Sequence, residues 1–143
     1  MKINGLLHLS LVFFILVLLL PSTPAHARTT KLVEPAPVTV SCVLTLDKMK
    51  EAISTGGAVR GWVVVDQAPG TTVLRYVKGA YQHEISVNVN YTKTFFAVTY
   101  KDSTNLDYKV KKNGTRLLHP RPIGWMQNLS GDIRAKTDIF CSQ

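Results

Sequence analysis

The chain has 143 residues, with 17 Lys or Arg against 9 Asp or Glu and a formal charge of +8. Its length suits one small domain with one core; its basic surplus raises affinity for anionic partners, but since no single segment holds the excess, solubility is the first reading. No phosphate loop, dinucleotide fingerprint, metalloprotease helix or Cys-x-x-Cys pair is present, which sets aside the enzyme and metal-site classes those motifs mark.

Residues 1–27 have the layout of a signal peptide. Lys2 precedes an apolar run at 6–20, and "PSTPAHA" puts Ala25 and Ala27 at the small-residue positions of a cleavage site. The run is short for a bilayer span, and no second long apolar stretch follows. The expected product is an exported protein, periplasmic or secreted, soluble after cleavage near Ala27. The rest of the chain keeps 16 basic residues against 9 acidic ones, a formal +7.

Residues 28–41 contain Pro35 and Pro37 without helical period and read as an extended lead-in or linker. A single domain is expected over 42–143. Leu46, Met49, Ala52 and Ile53 then recur at helical spacing, with Thr45 as N-cap and Gly56–Gly57 as the stop. From Arg60 the period becomes two. "GWVVVDQ" and "TTVLRYVK" read as strands around the turn at 68–70. In "EISVNVNY", Ile85, Val87, Val89 and Tyr91 alternate with polar residues, so one face meets a core. "TFFAVTY" aligns Phe96, Val98 and Tyr100, and "DSTN" at 102–105 reads as a turn.

Asn113–Gly114 marks a hairpin, with Leu106, Tyr108 and Val110 expected inward and Lys109 and Lys111 outward. Pro120 and Pro122 fit only a helix's first turn, and Trp125, Met126, Leu129 and Ile133 supply its apolar stripe, with Gly131 as a weak point. The order predicts an α+β fold: a helix, an antiparallel meander sheet of four to six strands, and a C-terminal helix, both helices on one sheet face. Trp62 and Trp125 are expected in the core. Cys42 and Cys141 bracket the domain and are expected to form a disulfide in an oxidising compartment.

After the leader only two histidines remain, His83 and His119. They fall short of a metal set, and no cofactor or metal is expected. Ser103 lacks a nucleophile elbow, and turn chemistry accounts for Asp102, Ser103 and Asn105 without a site. A polar binding site of His83, Asp102, Ser103, Asn105 and His119 forms only if the strand end and the start of the last helix meet. A hydrolase would need His83 or His119 beside Asp102 and a nucleophile. Lys109, Lys111, Lys112 and Arg116 would offer a ribbon to an anionic surface, although outward lysines also protect an edge hairpin from aggregation. Nucleic acid is not an expected partner, since no exposed aromatics interleave the charge. Sequons occur at Asn90, Asn113 and Asn128.

"LTLDKMKEAI", "GW" at 61–62, "HEISVNVNY", "YKDSTNLDY" and the His119-x5-Trp125-x2-Asn128-Leu129-x3-Ile133 pattern occur in that order. Over residues 44–135 this resembles a group of small, uncharacterised bacterial envelope proteins, many of them lipoproteins. Two departures stand out: there is no lipobox cysteine, and Ile123–Gly124 replaces a Tyr-Asn pair. The resemblance implies a bacterial cell-envelope location, which leaves the sequons idle, and implies no reaction. The expectation is a non-enzymatic binding or assembly module, its partner an envelope protein or an anionic envelope component such as a glycan or lipid.

Overall fold

The computed structural model describes residues 29–80 and 82–143; the signal-like segment at 1–27 and its cleavage site lie outside those residues. Among the described residues the fold is α+β, with two helices and two antiparallel sheets. The lead-in contributes β1 (Thr30–Lys31) and β2 (Val38–Thr39). Then come α1 (Leu46–Ala58), β3 (Val63–Ala68), β4 (Thr71–Lys78), β5 (His83–Tyr91) and β6 (Phe95–Thr104). The chain closes with β7 (Lys109–Val110), β8 (Arg116–Leu118) and α2 (Pro120–Cys141).

Strands β3 to β6 form the expected meander, and β2 adds beside β6 to give the order β2-β6-β5-β4-β3. The Asn113–Gly114 hairpin does not extend that sheet. It pairs with β1 in a separate sheet of order β1-β8-β7. The extended lead-in is therefore stitched into both sheets, and its Leu32 and Val40 are buried.

Period two decides the main face. Ile85, Val87, Val89 and Tyr91 of β5 are all buried, as are Phe96, Val98 and Tyr100 of β6. They meet Met49 and Ile53 of α1 and Met126, Leu129 and Ile133 of α2 in one core. Each such side chain, fully buried, contributes about 1.5–3 kcal/mol. Both helices lie on this face, side by side. Trp62 is buried, whereas Trp125 is only half-buried; Tyr76 lies between them, 5.4 Å from the Trp62 ring and 5.2 Å from the Trp125 ring.

Four expectations are corrected. Gly56–Gly57 does not stop α1, because both glycines are buried contacts; the turn falls at Gly61, with φ of +83°. Leu46, placed on the apolar stripe by its spacing, is exposed. The "DSTN" turn is displaced: residues 101–104 continue β6 opposite β5, because a bulge between the Ser86 and Val87 pairings takes up Lys101 and resumes the ladder. The inward hairpin arm holds only for Leu106. Tyr108 is 37% exposed and Val110 59% exposed, because β7 is the outer strand of a small sheet that has no core on that side.

Thr45 caps α1 as expected, and the structure adds a second cap at α2. The Thr45 hydroxyl accepts from the Lys48 N–H, and His119 Nδ1 accepts from the Arg121 N–H at 3.3 Å. Cys42 and Cys141 are disulfide-bonded, tying the segment after β2 to the last turn of α2. No helix among the described residues is long and apolar enough to cross a membrane.

Tyr100 carries a pH consequence. Burial pushes its phenol above the ordinary value of about 10, against the lowering effect of its hydrogen bond with Ser103. Because the unfolded chain then loses this proton first, the contribution is intact below about pH 10 and falls as pH rises towards the raised folded value. Wild-type stability in urea is expected to drop as the pH rises above about 10, the ordinary phenol value. Tyr100→Phe should lose less over the same range; an identical loss would refute the assignment.

Candidate functional site

The turn after β6 organises the site. Asn105 and Asp107 adopt left-handed φ of +57° and +55°, a region that short polar side chains tolerate, and they flank buried Leu106. This geometry aims two consecutive carbonyls at two histidines. The Asn105 carbonyl accepts from His83 Nδ1 at 2.8 Å, and the Leu106 carbonyl accepts from the His119 backbone N–H at 3.0 Å. Residues far apart in the chain, at the start of β5 and the start of α2, are thereby held by one turn.

A cavity of about 320 Å³ opens where they meet. Lys78, Gly79 and His83 line it from the β4–β5 hairpin, and Asn105 and Leu106 from the turn. His119, Arg121 and Trp125 complete it from the start of α2. The volume is at the small end of ligand cavities, about 300–1,000 Å³. Lys78 stands directly opposite His83 in the β4–β5 register, on the same sheet face.

Hydrogen bonding fixes the imidazole tautomers. A carbonyl only accepts, so His83 Nδ1 carries hydrogen and its neutral ring leaves Nε2 as an acceptor. His119 Nδ1 accepts from a backbone N–H, so the hydrogen of its neutral ring sits on Nε2 as a donor. The two rings thus offer opposite hydrogen-bonding characters.

His83, Asn105 and His119 therefore come together as the conditional reading required, but Asp102 and Ser103 do not line the cavity. Asp102 pairs with Ser86, on the sheet face opposite His83 and Ile85. Ser103 shares the inner face, and its hydroxyl is 2.8 Å from the Tyr100 hydroxyl. Neither histidine is joined to Asp102, so the His–Asp arrangement of a hydrolase does not form in this geometry. Among the described residues no cluster of three or more His, Cys, Asp or Glu is placed to hold a metal ion.

The basic ribbon lies elsewhere. Lys109, Lys111 and Lys112 are exposed on the β7–β8 hairpin, whereas Arg116 is spent on Glu34 at 3.2 Å. The same Glu34 carboxylate accepts from the Tyr100 N–H, so Arg116 helps join the two sheets.

Lys78, Leu106, Arg121 and Trp125 are cavity residues that the sequence reading did not assign to a site. For Lys78 the available signal was the hairpin register opposite His83. For Arg121 it was a cation in the first turn of a helix, where the macrodipole disfavours positive charge. No family model, curated protein or solved structure matches the chain.

Proposed function

We propose that this protein is a non-enzymatic binding module of the bacterial cell envelope, exported to the periplasm or secreted, and that it holds its ligand in the His83–Asn105–His119 cavity. The convergence of these three residues around one concave space carries the reading. Both histidines use Nδ1 for structural bonds and keep Nε2 without a hydrogen-bond partner among the described residues, a disposition suited to recognising a bound group. The envelope location is supported by the signal-like leader, the disulfide and the resemblance over residues 44–135.

Ligand-observed NMR of the purified protein against small acids, sugars, amines and nucleosides tests this. At least one class should bind, be released chemically unchanged, and lose its signal when Leu106→Trp fills the cavity of the folded protein. Binding that survives the filled cavity, conversion of the bound compound, or no binding by any class would overturn the proposal.

A further inference from the structure

Four of the five arginines among the described residues have carboxylate partners. Arg60 pairs with Asp132, Arg75 with Glu84, Arg116 with Glu34 and Arg134 with Asp138. Arg121 has none, and it is the arginine that lines the cavity. Lys78, contributed to the lining by the β4–β5 hairpin, likewise has no ion-pair partner among the described residues. No acidic residue occupies the first turn of α2, so nothing in that turn offsets either the guanidinium or the positive end of the helix dipole. Backbone donors contribute little there, since Pro120 and Pro122 have no N–H and that of Arg121 is used by His119. Side chains must therefore hold any anion.

The remaining wall is apolar. Leu106 is buried beneath the cavity, and the half-buried Trp125 ring meets Tyr76 edge-on, with ring planes at 71°. An aromatic ring braced in this way offers a firm surface for a flat apolar group.

We infer that the cavity binds a small organic anion, its carboxylate or phosphate held by Arg121, Lys78 and the Nε2–H of His119, and its flat apolar body placed against Trp125 and Leu106. This rests on the proposed binding function and specifies the ligand's chemistry. A planar guanidinium matches either anionic head in a two-point contact, while the lysine adds a point charge. His83 in its neutral form offers a lone pair at Nε2, so it suits a hydroxyl or N–H on the ligand rather than the anionic head.

The test uses probes that share a phenyl body, with benzamide the neutral isostere of benzoate. Benzoate, phenyl phosphate and neutral benzamide are titrated into the protein, following backbone amide NMR shifts of Lys78, His83 and Arg121. Either anion is expected to bind at least about tenfold more tightly than benzamide, the scale of one charge-assisted contact. The preferred anion shows whether the head is a carboxylate or a phosphate. Arg121→Gln and Lys78→Gln should each lower the anion's affinity by about tenfold, and added salt should weaken it. Arg121→Gln removes a dipole-opposing charge and so should leave the fold intact. Equal binding of benzamide and the anions, or full affinity in Arg121→Gln, overturns the anion inference while leaving the cavity a binding site. Failure of all three probes overturns it too; only the broader panel with its filled-cavity control decides the binding function itself.

Discussion

Gly56→Ala is expected to destabilise the protein, and Gly131→Ala to stabilise it, although both glycines lie inside helices. Alanine ordinarily gains about 1 kcal/mol over glycine in a helix interior. A Cβ at Gly56, however, would stand 2.8 Å from the Ile133 Cα and 2.9 Å from the Ile133 nitrogen. Those are backbone atoms of α2 and cannot rotate aside, so the two helices must separate. Overpacking of this kind costs about 1–3 kcal/mol, which outweighs the propensity gain at the upper end. Gly56→Val adds further bulk at the same contact and should lower the melting midpoint more than alanine does.

A Cβ at Gly131 would meet nothing within 4 Å, so Gly131→Ala keeps the propensity gain of about 0.5–1 kcal/mol. Thermal unfolding of the two alanine variants reads the difference, at about 4 °C per kcal/mol for a domain of this size. Ile133→Ala is not expected to rescue Gly56→Ala, because the blocking atoms are main chain. Midpoints that rise in both alanine variants would refute the close helix contact.

Loss of the Cys42–Cys141 disulfide is expected to have the largest effect. It spans 99 residues of sequence, so in the chain-entropy model it removes up to about 4–5 kcal/mol of freedom from the unfolded chain. It also clamps α2, whose buried Met126, Leu129 and Ile133 contribute to the core shared with α1 and the sheet. Urea unfolding with and without reductant, beside the Cys42→Ser/Cys141→Ser double variant, measures this. A fall in midpoint of about 2 M urea corresponds to the full effect at an ordinary urea dependence. An unchanged midpoint on reduction would rule out the clamp. Such dependence on an oxidising environment fits the proposed export.

The site was partly legible because its polar residues fall at element ends. His83 begins a strand with clear alternation, and His119 stands before Pro120 as the N-cap of a prolined helix. "YKDSTNLDY" was harder to read. Asp102, Ser103 and Asn105 favour turns locally, yet pairing with β5 holds residues 102–104 extended, and only Asn105 and Asp107 turn. Its tyrosines do not both face the core; Tyr108 stacks on Tyr100 with ring centroids 4.7 Å apart and stays partly exposed. The segment's contribution to the site comes chiefly from the Asn105 and Leu106 carbonyls, which no side-chain pattern announces.

Periodicity and turn chemistry alone determined the helix–meander–helix order, the inward face of β5, the Thr45 cap and the prolines in the first turn of α2. These are local or near-local properties: side chains alternate at period two, and proline and asparagine–glycine restrict the backbone wherever they occur. Only the tertiary structure decided that the hairpin leaves the main sheet, that Gly56 is a contact rather than a stop, and that Arg121 has no carboxylate partner among the described residues. Each depends on what lies opposite in space: a short β1 strand, the backbone of Ile133, or the lack of a nearby carboxylate. The cavity belongs with them, since His83 and His119 meet through a turn whose shape arises only once the sheet has set its register.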